Sequence, residues 1–492
     1  MTKNDTVAFV IFGITGDLAR RKLIPALYRL LINKRLPGKV VLYGFARRDW
    51  TEEFFKNELV NSINEFVSKN EIDPSIFDDL LDGARYIQST FEDVEGYKKL
   101  GRVLKENNIK NVLYYLATPP DEYISIIRNI GDSKLAESKS GINRIVVEKP
   151  YGNDLASAQI LEEEIHKVFT EKQIYRIDHY LGKDTVQNIM VFRFANGIFE
   201  PLWNRNYVDH VQVLVSESIG VGTRAGYYDK AGVIRDVFQN HLLQLISLTA
   251  MEAPVGFNAD DVRDEKVKVL AALRPMKPDD VIKNTFRAQY VSGVMDGVRV
   301  PGYKDEAGVP STSTTETLLA ARLFIDNWRW AGVPFYVLSG KRLPARITQV
   351  AIQFKQVPLS LFNWSNMAGL APNLLVLNIQ PDEGITLSFG AKTPGPINQI
   401  SPVSMNFDYQ KTFGIDPPEA YERLILDCLT GDATLFTRAD EVKAQWAYTD
   451  RIIKAWQEFP VKNLPVYESG TWGPEGLDEF IKKDDSRAWK TS

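Results

Sequence analysis

Short apolar runs alternate with amphipathic stretches through the first third of the chain. The runs at 7–13, 39–45, 85–89, 111–116 and 143–147 have the length of strands and are too short for helices. Between them, apolar positions recur at helical spacing over 16–31, 51–67, 93–106 and 121–131. Strands alternating with helices predict a parallel sheet covered on both faces. The runs Val7 to Phe12 and Val112 to Leu116 contain no charged residue, as strands buried on both sides require.

Beyond about residue 180 the rhythm changes. Helical patterns at 184–195, 232–250 and 259–273 accompany longer alternating segments at 210–217, 286–291, 347–356, 374–379 and 384–391, with further helices near 417–430 and 438–457. Alternation of this kind suits a largely antiparallel sheet with one face exposed. The expected fold is therefore an α/β Rossmann-type parallel-sheet domain over 1–178, followed by an α+β domain over 179–492 with a large, mainly antiparallel sheet. The stretch 458–492, rich in Gly, Pro and Lys, is expected to be an irregular tail on the surface.

Composition adds exclusions. Of the 492 residues, 44% are apolar and 25% charged, which is ordinary for a globular chain that buries a sizeable core. The formal net charge of −4 gives no bulk attraction to nucleic acid or to an acidic membrane. A single cysteine, Cys428, excludes an intrachain disulfide and any cysteine-built metal cage, and fits a reducing compartment. The apolar run near the start is too short to span a bilayer and is followed by Asp17, Arg20, Arg21 and Lys22, so it reads as a buried strand. These features lead us to expect a soluble cytoplasmic protein.

The first strand runs into Gly13-Ile-Thr-Gly16-Asp17-Leu18, a glycine turn that leads into a helix. Such a turn presents backbone N–H groups and a helix N-terminus to a pyrophosphate. The usual G-x-G-x-x-G is not met, because Ile11 holds the place of its first glycine. The second strand ends in Arg47-Arg48, where a guanidinium accommodates a 2′-phosphate and favours NADP over NAD. Ala117-Thr-Pro-Pro120 and Glu148-Lys149-Pro150-Tyr-Gly152 follow later strands, at the edge where open α/β sheets bind ligands. Lys149 precedes a proline and is thereby held extended, and a cis bond is expected at Pro150.

The densest chemistry lies in Arg176-Ile-Asp178-His179-Tyr180-Leu-Gly182-Lys183. Lys183, His179 and Tyr180 together offer a point charge, a ring nitrogen donor and a hydroxyl donor, the set that a phosphate monoester needs. Of the four histidines, His166 and His210 read as surface and structural residues. His241 differs because Asp236 and Asn240 precede it on a predicted helix, where all three line one edge of a cleft.

These segments resemble the glucose-6-phosphate dehydrogenase family. The likeness extends to Gly332-Val-Pro-Phe-Tyr336, Ser339-Gly-Lys341-Arg, Pro418 to Asp427 and Ser469 to Pro474, in order along essentially the whole chain. It implies oxidation of glucose 6-phosphate at C1, with His241 as general base and Asp178 as its partner. It also implies a phosphate clamp of His179, Tyr180 and Lys183. Lys149, Glu217, Asp236, Lys341, Arg346 and Gln380 match substrate positions, and Gly13, Gly16, Asp17, Leu18, Arg47 and Lys149 match the coenzyme side. No metal is implied, since hydride transfer needs orientation and one base. NADP is the expected coenzyme, with NAD also compatible, and the resemblance implies a homodimer or homotetramer. Mammalian members carry a second, structural NADP site, but here Ile347 to Gln349 is not basic and Asn378 stands where an arginine is expected, so one coenzyme site is expected. Two rival readings are a dehydrogenase of an unphosphorylated sugar and a nicotinamide-sensing regulator. Lys183 with Tyr180 opposes the first, and the presence of both His241 and Asp178 opposes the second.

Overall fold

The computed structural model describes residues 6–137, 141–359, 370–395, 399–414, 418–482 and 487–491. The chain forms two compact units. The first comprises 1–183, 255–263 and 418–443, and the second 184–254, 264–417 and 444–492.

Strands β1 (Thr6–Phe12), β2 (Lys39–Ala46), β3 (Arg85–Gln88), β4 (Asn111–Leu116), β5 (Asn143–Val147) and β6 (Ile174–Ile177) form the sheet of the first unit. All neighbouring pairs among them are parallel, in the order β6-β5-β4-β1-β2-β3. This is the doubly wound dinucleotide-binding order, with the strand sequence reversing between β1 and β4. Six of the seven β1 residues are buried, which explains the uninterrupted apolar run. The helices Glu52–Phe66 and Val94–Glu106 sit where the periodicity placed them, capped by Thr51 and Asp93 side chains that accept backbone N–H bonds from Phe54 and Glu95.

The second unit is built on a nine-stranded sheet. Its strands include β7 (Val208–Ser216) and β8 (Thr285–Val291), while β9 (Gly293–Met295) and β10 (Val298–Val300) form a separate ribbon. The sheet continues with β11 (Leu318–Phe324), β12 (Pro334–Gly340), β13 (Thr348–Phe354), β14 (Leu374–Gln380), β15 (Gly384–Lys392) and β16 (Ile400–Asp408). Late in the chain, β17 (Phe436–Thr437) adds antiparallel to β6 in the first sheet, and β18 (Val466–Glu468) adds parallel to β8 in the second. The large sheet runs β16-β15-β14-β13-β7-β12-β11-β8-β18. It is antiparallel except at β7–β12 and β8–β18.

Two expectations are corrected. The stretch 458–492 is not merely an irregular surface tail: besides β18 it holds a helix, Glu475–Lys482. Tyr467, Leu477 and Phe480 enter the core with Leu318, Leu338 and Tyr290, and Trp489 packs against it. A three-residue strand and a two-turn helix lie below the length at which periodicity is legible. The predicted helix over 232–250 is interrupted: Ile234–Leu242 is π-helical, between α-helical segments Ala225–Val233 and Leu243–Ala250.

Because the tail contributes to the core, Leu477→Ala is expected to cost about 2–4 kcal/mol of stability, the usual range for a buried leucine truncation. Chemical denaturation checks this. A loss below about 0.5 kcal/mol, the size of a surface substitution, would return the segment to the surface.

Candidate functional site

In the first unit, the chemistry gathers at the carboxyl ends of β1, β2, β4, β5 and β6. Gly13 follows β1 with a φ of 80° and donates its N–H to Phe45 O at 2.8 Å. A Cβ at that position would stand 2.5 Å from the Ala117 carbonyl oxygen, so only glycine lets the turn after β1 lie against the end of β4. Gly16 N–H closes the turn onto Gly13 O at 2.9 Å. Leu18 is half-buried, whereas Asp17 is exposed and pairs with Arg21 at 2.7 Å. The segment that follows, Ala19–Leu23, is π-helical and passes into an α-helix at Ile24. Arg47 is exposed just past the end of β2, while the neighbouring Arg48 lies over the Trp50 ring at 5.8 Å. A glycine-bounded backbone cradle with a guanidinium at the second strand is the donor set that a phosphorylated dinucleotide requires.

Glu148 and Lys149 follow β5. The Glu148 carboxylate is buried and accepts the phenol protons of Tyr115, on β4, at 2.5 Å and of Tyr421 at 3.1 Å. Tyr123 donates to the Glu148 carbonyl at 3.1 Å. Burial pushes the carboxyl pKa up, and the two phenol donors pull it back. The bond between Lys149 and Pro150 is cis, as expected. This network fixes the strand end from which Lys149 projects. Tyr115 and Tyr421 carry no motif spacing: one sits in an apolar strand and the other more than two hundred residues away, so nothing in the sequence joined them to Glu148.

The Arg176 to Lys183 segment divides. Arg176 is buried on β6, bidentate to Glu171 at 2.7 and 2.9 Å, and bonded to Glu162 at 2.8 Å. His166 reaches the same two carboxylates at 3.3 and 3.2 Å, completing a structural ion network. The remaining residues turn tightly, with Leu181 N–H bonded to Asp178 O and Lys183 N–H to Tyr180 O. The Asp178 carboxylate accepts the Tyr180 N–H at 3.0 Å. The rings of His179 and Tyr180 lie 5.1 Å apart, and the Lys183 ammonium lies 4.9 Å from the Tyr180 ring centre. The turn therefore presents His179, Tyr180 and Lys183 together. Gly182 does not reverse the chain through a left-handed conformation. It is required because a Cβ there would meet Ala420 O and Leu424 Cγ, both at 2.8 Å.

In the second unit, parallel pairing of β7 with β12 brings Ser216 opposite Gly340, so Glu217 and Lys341 leave the sheet side by side and pair. Lys341 also lies 3.9 Å from Asp236 and 5.0 Å from the Tyr228 ring centre. Tyr467 of the late strand β18 anchors the Lys341 carbonyl at 2.6 Å. Asp236 has a second cation, Arg224, at 3.8 Å, a residue that sequence reasoning passed over. Arg346 approaches Gln380 at 3.4 Å, and Gln380 donates to Thr348 at 2.9 Å.

Asp236, Asn240 and His241 all fall on the π-helical run Ile234–Leu242. Its hydrogen bonds join residues five apart rather than four. The Asn240 side chain is spent on its own backbone, accepting the His241 N–H at 2.6 Å and donating to Arg235 O at 3.3 Å. His241 is buried. Asp178 and His179 belong to the first unit and His241 to the second.

Residues 10–188 match the glucose-6-phosphate dehydrogenase NAD binding domain, and residues 190–490 match the C-terminal domain of the same family. The chain belongs to the glucose-6-phosphate dehydrogenase family. It is 44% identical to the glucose-6-phosphate 1-dehydrogenase of Chlamydia muridarum, over 98% of this chain and 96% of that protein. The Aggregatibacter actinomycetemcomitans enzyme of the same name is 46% identical over 99% and 98% of the two chains. Among solved structures, a glucose-6-phosphate dehydrogenase in complex with glucose 6-phosphate superposes with a TM-score of 0.89 at 35% identity, covering 100% of both chains. The Mycobacterium avium glucose-6-phosphate 1-dehydrogenase gives 0.85 at 34% identity, covering 100% of this chain and 99% of that one. The glycine cradle at Gly13 thus falls in the family's NAD binding domain.

Gly13→Ala is expected to weaken nicotinamide dinucleotide affinity at least tenfold, because the added methyl forces the β1 turn away from Ala117. Calorimetric titration of the coenzyme tests this, and an unchanged affinity would place the dinucleotide elsewhere.

Proposed function

We propose that the chain oxidises D-glucose 6-phosphate at C1 to 6-phospho-D-glucono-1,5-lactone, with hydride passing to NADP, the first step of the oxidative pentose phosphate pathway. The observation that carries this reading is the single turn after β6 that presents His179, Tyr180 and Lys183, within a chain that is family-like along nearly its whole length. A structural relative is a complex with the same sugar phosphate.

In this reading residues 1–178 carry the coenzyme and 179–492 carry the substrate. Gly13, Gly16, Asp17, Leu18, Arg47 and Lys149 hold the dinucleotide, with Arg47 at its 2′-phosphate. NADP supplies the hydride acceptor. Lys183, His179 and Tyr180 hold the substrate phosphate. Lys149, Glu217, Asp236, Lys341, Arg346 and Gln380 hold the sugar and its phosphate, the carboxylates accepting from sugar hydroxyls. The C1 hydroxyl gives its proton to the His241 imidazole while the C1–H bond leaves with its electron pair, and the C1–O bond becomes a carbonyl. Asp178 orients His241 and stabilises the imidazolium formed. One coenzyme is bound per subunit, and NAD is accepted less well. The protein works in the cytoplasm as a homodimer or homotetramer. Assembly runs through the large sheet, whose outer strand β16 exposes Val403 and Met405.

Replacing His241 by Asn is expected to lower kcat by about two to four orders of magnitude while leaving substrate affinity largely intact, since that is the usual contribution of a positioned base. Steady-state kinetics checks it, and unchanged turnover would remove His241 from the base role. Lys183→Ala is expected to raise KM for glucose 6-phosphate far more than it changes kcat. An unaltered KM would take it out of the phosphate clamp.

A further inference from the structure

The second unit contains a cavity of about 270 Å³ that none of the residues above uses except at its wall. It is lined by Ile234 and Arg235 at the start of the π-helix, by Arg287 of β8, by Glu316, by Trp456, and by an apolar rim that includes Val461. Its ionisable residues are two arginines and one carboxylate, so the lining is net positive.

Arg287 is the informative group. Its guanidinium lies over the Trp456 ring, 4.7 Å from the centre. The indole is itself held by a hydrogen bond from Trp456 Nε1 to Thr285 Oγ1 at 3.1 Å. Among the described residues, no hydrogen bond or ion pair engages this guanidinium. Burial lowers its pKa, and Glu316 acts in the opposite direction. Five N–H donors in a rigid fork, held over an aromatic plate at the wall of a cavity, are organised for a planar or tetrahedral oxyanion. Glu316 does not fill that role: its carboxylate is buried beside Gly232 and accepts the Ile234 N–H at 3.4 Å. The rim of Pro460, Val461 and Leu464 suits an apolar body attached to the anion.

We propose that this cavity is an effector site for a small organic anion, a carboxylate or phosphate on an aromatic or aliphatic body, bound by Arg287 on Trp456. Coupling to turnover follows from the shared wall. Ile234 and Arg235 open the π-helix that carries Asp236 and His241. A π-helical run flanked by α-helix has a competing α register, and an occupant that touches its first turn biases the choice between them. The effector role rests on the functional reading above, whereas the binding site does not.

Calorimetric titration of the full chain with phenyl phosphate, benzoate, phenol and inorganic phosphate, in saturating glucose 6-phosphate without coenzyme, tests the site. Phenyl phosphate or benzoate is expected to bind at least tenfold more tightly than phenol or inorganic phosphate, and the preferred oxyanion identifies the ligand class. Arg287→Gln is expected to weaken that binding at least tenfold, with Arg287→Lys intermediate because it keeps the charge and loses the fork. Equal affinity in wild type and a folded Arg287 variant overturns the proposal. So does a probe that binds without glucose 6-phosphate but not in its saturating presence, which would place the probe in the substrate site. In kinetic assays the bound probe is expected to change kcat, and Arg287→Gln to abolish that response without altering basal turnover. Binding with no change in kcat or KM overturns the effector role. Absence of any glucose 6-phosphate oxidation would fail the functional reading instead, and the calorimetry would still decide the site.

Discussion

A buried carboxylate organises the coenzyme half. Glu148 ends a parallel strand, and its charge is satisfied by hydroxyls from Tyr115 on the neighbouring strand and Tyr421 on the helix Ala420–Thr430. A carboxylate taken out of water without such donors would cost several kcal/mol, so the three groups stand or fall together. The consequence is geometric. The strand end that carries Lys149 is tied to the centre of the sheet and to a helix that returns late in the chain. That same helix excludes any side chain at Gly182, through Ala420 and Leu424, and so shapes the turn that presents His179, Tyr180 and Lys183. The strand end at Lys149 and the turn at Gly182 both depend on one late element.

The second unit reaches its polar constellation differently. Parallel pairing of β7 and β12 within an otherwise largely antiparallel sheet sets Glu217 beside Lys341. The π-helix carries Asp236, 3.9 Å from Lys341, and five residues later the buried His241. π-helical turns are rare and cluster at functional positions because they change which residues share a face without breaking the helix. The chain uses one here and a second just after the Gly13 turn.

Much of this was legible in the sequence where a physical signal is local. Apolar runs bounded by turns located β1, β2, β4 and β5, because a strand buried on both faces leaves no polar trace. The Gly13 turn was legible as a strand-to-helix glycine turn, whereas its close approach to Ala117 was not. The duty of Arg176 was not legible, because its partners Glu162, Glu171 and Tyr151 carry no spacing that marks them as an ion network. The π-helical run Ile234–Leu242 was also hidden, because composition does not announce i→i+5 bonding. The tail failed for lack of length, and the tyrosines around Glu148 for distance along the chain.

The central claim is that a phosphorylated sugar is recognised and oxidised at C1 by one chain that binds NADP. Initial rates of nicotinamide reduction, measured with glucose 6-phosphate and with glucose, each with NADP and with NAD, test it most directly. The account predicts reduction with glucose 6-phosphate, faster with NADP, and little with glucose at equal concentration, because the Lys183 turn then has no phosphate to hold. Comparable rates on both sugars, or no reduction by well-folded protein, would contradict it.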